Sequence, residues 1–140
     1  MRKHPGTSTR SARGSVRSER ELAFYQAFRN SNDYMFFTDS NGVILDVNDA
    51  FIRRFGYAVS EAVGKTPRIV RSRQTPVETY RRMWSSIIDV GKGYWRGRIV
   101  NRTKSGQEIP VMLSITAVRG AAGEIVGFVS SAVDLSEHEQ

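Results

Sequence analysis

Apolar residues recur at two periods along this chain, and each change of period marks an element. Leu22, Tyr25 and Phe28 stand three apart with Phe24 beside them, which predicts a short amphipathic helix over 19–30. An aromatic strand is predicted over 34–38, and Asp39-Ser40-Asn41-Gly42 is a hairpin turn with Gly42 suited to positive φ. A second strand follows over 43–47. Asn48 is placed to cap a helix that runs through Phe55 and buries Phe51, Ile52 and Phe55. Ser60 is placed to cap a one-turn helix that stops at Gly64, and 65–75 reads as a polar, basic connector. Thr75-Pro76-Val77-Glu78 has the form of a capping box with Pro at the first helical position. The helix behind it reaches about Val90, with Val77, Tyr80, Trp84, Ile87 and Ile88 as its inner stripe and Gly91 as its stop.

Beyond Gly91 the period becomes two. Over 94–102 alternation puts Trp95, Gly97, Ile99 and Asn101 on one face and Arg96, Arg98, Val100 and Arg102 on the other. The apolar face ends in an amide, and a buried amide needs hydrogen-bond partners in the protein or in a ligand. Lys104-Ser105-Gly106 turns the chain into a long strand over 107–118, and the last strand runs over 124–134. Two strands, short helices, one longer helix and three strands define an α+β fold whose hairpin-linked strands can form a wholly antiparallel sheet with helices on one face.

The sequence has 140 residues, enough for one domain with one core. It has no cysteine, which excludes disulfides, thiolate metal sites and cysteine nucleophiles. No apolar run reaches the length of a membrane span and no secretory signal is evident, so the expected location is cytoplasmic. The net charge of +7 is concentrated at the start: residues 1–20 carry six Lys and Arg against one Glu, a net of +5 that leaves +2 for the rest. Residues 1–18 read as a disordered basic arm. The folded part is too weakly charged, and its exposed basic faces too poor in aromatics, to predict nucleic-acid binding.

Together, D-S-N-G-V-I-L-D-V-N-D-A-F at 39–51, F-G-Y at 55–57, G-K-T-P-R-I-V at 64–70, Y-x-x-M-W at 80–84, W-R-G-R-I-V-N-R-T-K-S-G at 95–106 and V-D-L-S-E at 133–137 make the chain resemble a PAS domain. The resemblance covers about 28–136. It implies a five-stranded antiparallel sheet in the order 2-1-5-4-3, with helices on one face enclosing a pocket. It divides the chain into the arm, a flanking helix over 19–30, the PAS domain over 31–136 and the start of an outgoing linker over 137–140. It implies a bacterial sensory module, dimeric through its N-terminal helix. A histidine kinase, a cyclic-dinucleotide enzyme or a transcription regulator is the kind of output domain it would serve. As no output domain follows Gln140, the chain reads as a piece of a larger protein or a stand-alone module.

Haem-binding relatives place a His on the long helix. Here the only histidines are His4 and His138, so neither axial-His haem, a metal cluster nor catalysis is expected. In light-sensing relatives, the adduct-forming cysteine corresponds to Pro67, and two further flavin-facing positions correspond to Val111 and Ala132. Two matches remain: Arg68 with an arginine that holds the flavin phosphate, and Asn101 with an asparagine at the pyrimidine edge. The Trp84 and Trp95 motifs resemble redox-sensing PAS domains that carry FAD. The resemblance thus implies FAD or FMN as candidate cofactor, in a pocket lined by Phe37, Trp84, Trp95, Ile99, Asn101 and Leu113 with Arg68 near the mouth. The alternatives are a backbone role for Asn101, a core role for the tryptophans, and a cofactor-free dimerisation module.

Overall fold

The computed structural model describes residues 5–136. In chain order it forms α1 (Pro5–Asn30), β1 (Tyr34–Asp39), β2 (Ile44–Val47), α2 (Asp49–Phe55), α3 (Val59–Ala62), a 3₁₀ turn (Pro67–Val70), α4 (Val77–Ile88), β3 (Tyr94–Arg102), β4 (Glu108–Arg119) and β5 (Ile125–Asp134). The five strands make one antiparallel sheet in the order β2-β1-β5-β4-β3, as the resemblance implied. α2 and α4 cover its inner face. The core lies between them: Phe51 stacks on Phe55 at 4.9 Å, and Phe36 and Tyr34 meet this pair edge-on.

Asn48 organises the entry to the sheet. Its Oδ1 accepts from Phe51 N at 3.1 Å, the N-cap bond expected for α2, and also from Met35 N at 3.0 Å. Its Nδ2 donates to Phe28 O and Asp33 O, both at 2.9 Å. One fully buried amide thereby ties the end of α1, the start of β1 and the start of α2. Arg29 adds ion pairs to Asp46 and Asp49. Gly56, at φ +82°, closes α2 with a left-handed cap that a Cβ would strain.

Several local expectations differ from the structure. α1 begins at Pro5, so the arm expected over 1–18 is drawn as helix from that point. Beyond Pro5 its sequence holds no further proline to stop a helix. The cap of α3 is Ala58 in place of Ser60, with Glu61 Oε1 accepting from Ala58 N at 3.0 Å. Thr75 does not cap α4. Its hydroxyl accepts from Val100 N at 2.8 Å and donates to Val100 O at 3.0 Å, so it pins the edge of β3. The side chains of α4 that are buried are Met83 and Ile87, whereas Val77, Trp84 and Ile88 are exposed and Tyr80 is half-buried.

Asn48→Ala is expected to cost about 3 kcal/mol or more in chemical unfolding, because it removes an N-cap and leaves buried backbone groups of three elements unpaired. Asn48→Asp should be no milder near neutral pH, since it keeps the cap acceptor but turns a carboxylate oxygen toward two carbonyls. Wild-type stability in either variant would show that the junction does not depend on this amide.

Candidate functional site

A cavity of about 630 Å³ opens between α4 and the inner face of the sheet. Its floor crosses four strands: Phe36 on β1, Ser130 and Phe128 on β5, Leu113 and Ile115 on β4, and Ile99 and Asn101 on β3. Strand pairing sets this floor, since Phe36 lies opposite Ser130 and Ser130 opposite Ile115. Tyr80, Met83 and Trp84 of α4 form the roof, and Trp84 meets Phe128 edge-on at 5.3 Å. The mouth is made by the β1–β2 turn and the 3₁₀ turn, which bring up Asn41, Pro67, Arg68 and Arg71. The size and the apolar walls with a few polar groups suit a small organic ligand.

Of the seven residues expected at the site, five line this cavity: Arg68 at the mouth, and Trp84, Ile99, Asn101 and Leu113. Two do not. Phe37 faces the other side of the sheet and packs edge-on against Phe28 of α1 at 5.1 Å. Phe36 takes the inward place, and the one-residue difference exchanges the faces of β1. Trp95 lies back along β3 over Gly97, where a Cβ would stand 2.5 Å from the indole ring. It therefore fills space beside the core and does not line the cavity. Val111 and Ala132 are buried in the core and line no part of the cavity either.

Asn101 is buried, and its backbone forms an antiparallel bridge with Arg71. The turn after it is held by Thr103, whose hydroxyl accepts from Gln107 N at 3.0 Å and whose N–H donates to Gln107 O at 2.9 Å. Among the described residues no group bonds to the Asn101 side-chain amide, which faces the cavity. A second polar group is also without a partner, but closed off from solvent. The Tyr80 hydroxyl is buried without a hydrogen-bond partner. The Arg71 guanidinium sits over the Tyr80 ring at 4.1 Å. Tyr80, Arg71, Ser130 and Phe36 also line the cavity, outside the seven residues expected there. Tyr80 belongs to the stripe expected on the inner side of α4, and nothing in the sequence separates Arg71 from the other basic residues of its connector. No group of His, Asp and Glu able to hold a metal occurs among the described residues, and His4 and His138 lie outside them.

Comparison with known proteins agrees with this architecture. The family model for the PAS domain matches residues 32–137, and the chain belongs to the PAS domain family. The nitrogen fixation regulatory protein of Klebsiella oxytoca is 28% identical over 123 residues, covering 88% of this chain and 24% of its own length. The blue-light-activated histidine kinase of Rhizobium johnstonii is 26% identical over 140 residues, 98% of this chain and 40% of its own. The chain thus spans less than half of either relative. A solved light-oxygen-voltage domain shares the fold with a TM-score of 0.70 at 20% identity, over 84% of this chain and 87% of that one. The chain is similar to PAS modules of signalling proteins. No helix among the described residues is long and apolar enough to cross a membrane.

Where β5 leaves the sheet, Asp134 gathers three elements. Its Oδ2 accepts from Tyr34 Oη of β1 at 2.9 Å and from Arg54 Nε of α2 at 3.1 Å, and its Oδ1 accepts from Ser136 N at 2.8 Å. Burial alone would raise its pKa, but the hydrogen bonds from Ser136, Tyr34 and Arg54 outweigh burial and hold it at about 2. Burial and the bond to Asp134 push the Tyr34 hydroxyl up to about 12.

A depressed carboxyl stabilises the fold above its ordinary pKa of 3.8, and that contribution is lost as pH falls toward 2. The raised Tyr34 contributes below pH 10 and loses its contribution as pH climbs through about 12. Asp134→Asn should cost about 1–2 kcal/mol at neutral pH, allowing for partial exposure. It should also flatten the fall in stability between pH 4 and 2 (unfolding curves across that window measure both).

Proposed function

We propose that this chain is the sensory PAS module of a bacterial signalling protein. It would bind a small ligand in the α4–sheet cavity and pass the change through its terminal segments to an output domain. The observation that carries the proposal is the unpartnered Asn101 amide on the floor of a cavity with largely apolar walls. A buried amide without a partner costs free energy, and a ligand edge that pairs with it recovers that cost. The relatives' signalling roles support the reading, and a histidine kinase, a cyclic-dinucleotide enzyme or a transcription regulator is the class of output proposed with it. A cytoplasmic location and a non-catalytic role belong to the same proposal.

Flavin, as FMN or FAD, is the candidate ligand, and the residues present fit it. Asn101 can donate to and accept from a pyrimidine edge, and Arg68 at the mouth matches a phosphate. Trp84, Ile99 and Leu113 offer an apolar bed for a ring system. A bound flavin supplies redox chemistry, and the chain orients it and shields it from water. Pro67 lines the cavity where light-sensing relatives carry a thiol, and the chain has no cysteine, so no cysteinyl adduct forms. An absorbance spectrum of the purified protein, and of protein reconstituted with FMN or FAD, should show the flavin bands. Asn101→Ala should weaken binding about tenfold with little change in melting temperature. Protein that stays colourless after reconstitution rules the flavin out, and destabilisation without weaker binding makes Asn101 structural.

A second reading, a dimerisation module without cofactor, is favoured by α1. Leu22, Phe24 and Tyr25 remain exposed on it, Phe24 at 77%. Phe28 is spent on Phe37 and Arg29 on Asp46 and Asp49, so the end of α1 belongs to the domain and the exposed face is free for a second copy. Leu22→Glu with Phe24→Glu should convert a dimer to a folded monomer in light scattering. A dimer that survives both changes uses another surface.

A further inference from the structure

We infer that the cavity is built for a flat aromatic anion, whose negative group is held by Arg71, with the Tyr80 ring as the platform that carries the guanidinium. This inference rests on the reading of the cavity as a ligand site but on no particular ligand. The first support is electrostatic. Among the residues lining the cavity there is no carboxylate and no histidine, while two guanidiniums, Arg68 and Arg71, stand at one end. Neither has a carboxylate partner among the described residues, and Arg71 touches only the face of a ring. An uncompensated pair of cations beside an apolar wall attracts an anion more strongly than it would in open water.

The second support is the Tyr80 ring. It lines the cavity and carries the Arg71 guanidinium on its face at 4.1 Å, while its hydroxyl is buried, closed off from the cavity and without a partner. Arg71 joins the two polar ends of the site: its guanidinium rests on the Tyr80 ring, and its backbone pairs with Asn101. Shape adds a third constraint. One wall is the face of a β-sheet and the other is a single helix, with Trp84 and Phe128 crossing edge to face at the side. Such a slot accepts a slab more readily than a globular ligand.

The test uses a dye pair and two variants. Anilinonaphthalene sulfonate is an aromatic anion, N-phenylnaphthylamine is the same ring system without the charge, and both brighten in apolar surroundings. Native protein should bind the sulfonate about tenfold tighter than the neutral dye. Arg71→Gln should erase that preference, leaving the neutral dye unchanged, because one charge-assisted bond is lost. Tyr80→Leu should weaken the sulfonate about fivefold with the neutral dye little changed, because it removes the ring beneath the guanidinium. If the neutral dye binds as tightly as the sulfonate, or neither variant changes sulfonate binding, the anion assignment falls and the ligand-site reading stands. If neither dye binds native protein, both fall. If Tyr80→Leu weakens both dyes equally, the ring is a wall of the cavity and not a platform for Arg71.

Discussion

The Asn48 carboxamide uses both of its donors and both lone pairs of its oxygen on backbone groups, and the rest of the domain is positioned from that junction. α1 must end where Phe28 O meets the amide, β1 must begin where Met35 N does, and α2 must start at Phe51 N. With these three points set, Phe36 faces inward and Phe37 outward, and Phe51 and Phe55 reach the inner face of the sheet. The register of β1 against β5 then places Ser130 and Phe128 on the cavity floor. A shift of one residue at the junction would exchange these faces, because side chains alternate along a strand.

Two asparagines, 48 and 101, show how the same chemical group serves scaffold and site. Both are buried. Asn48 is satisfied four times over within the protein, so its energy is spent on geometry. Asn101 is held in place by its backbone, through the ladder with Ile109 and the bridge to Arg71, and its side chain is left to the cavity. A local turn bond was the competing explanation for Asn101, but Thr103 makes that bond. Tyr80 differs: its ring is covered by Arg71 while its hydroxyl is closed off without a partner.

Much of the fold was legible because short-range physics dictated it. The N-cap at Asn48, the positive φ at Gly42, the period-two strands and the sheet order implied by family resemblance all reappear. Illegible features depended on contacts distant in sequence. Thr75 has the pattern of a capping box, but Val100, 25 residues away, offers its hydroxyl both an N–H and a carbonyl. Trp95 alternates correctly onto the inner face, yet the missing side chain of Gly97 lets the indole lie flat along the strand, and it lines no part of the cavity. Phe36 and Phe37 are chemically equivalent neighbours, and what separates them is distant in sequence: Phe36 packs on Phe51 of α2 and Phe37 on Phe28 of α1.

By itself, the sequence determined the family, the element order, the absence of any thiol and the presence of an amide on the inner face of β3. These follow from residue type, spacing and periodicity, all of which act over a few positions. Only the tertiary structure decided which side chains share the cavity, that the Asn101 amide is left to it, and that the Tyr80 hydroxyl is buried beside it unpaired. The physical reason is that hydrogen-bond satisfaction is a property of the assembled interior. An amide is the same in any sequence, and becomes a binding group only where packing has brought it no partner.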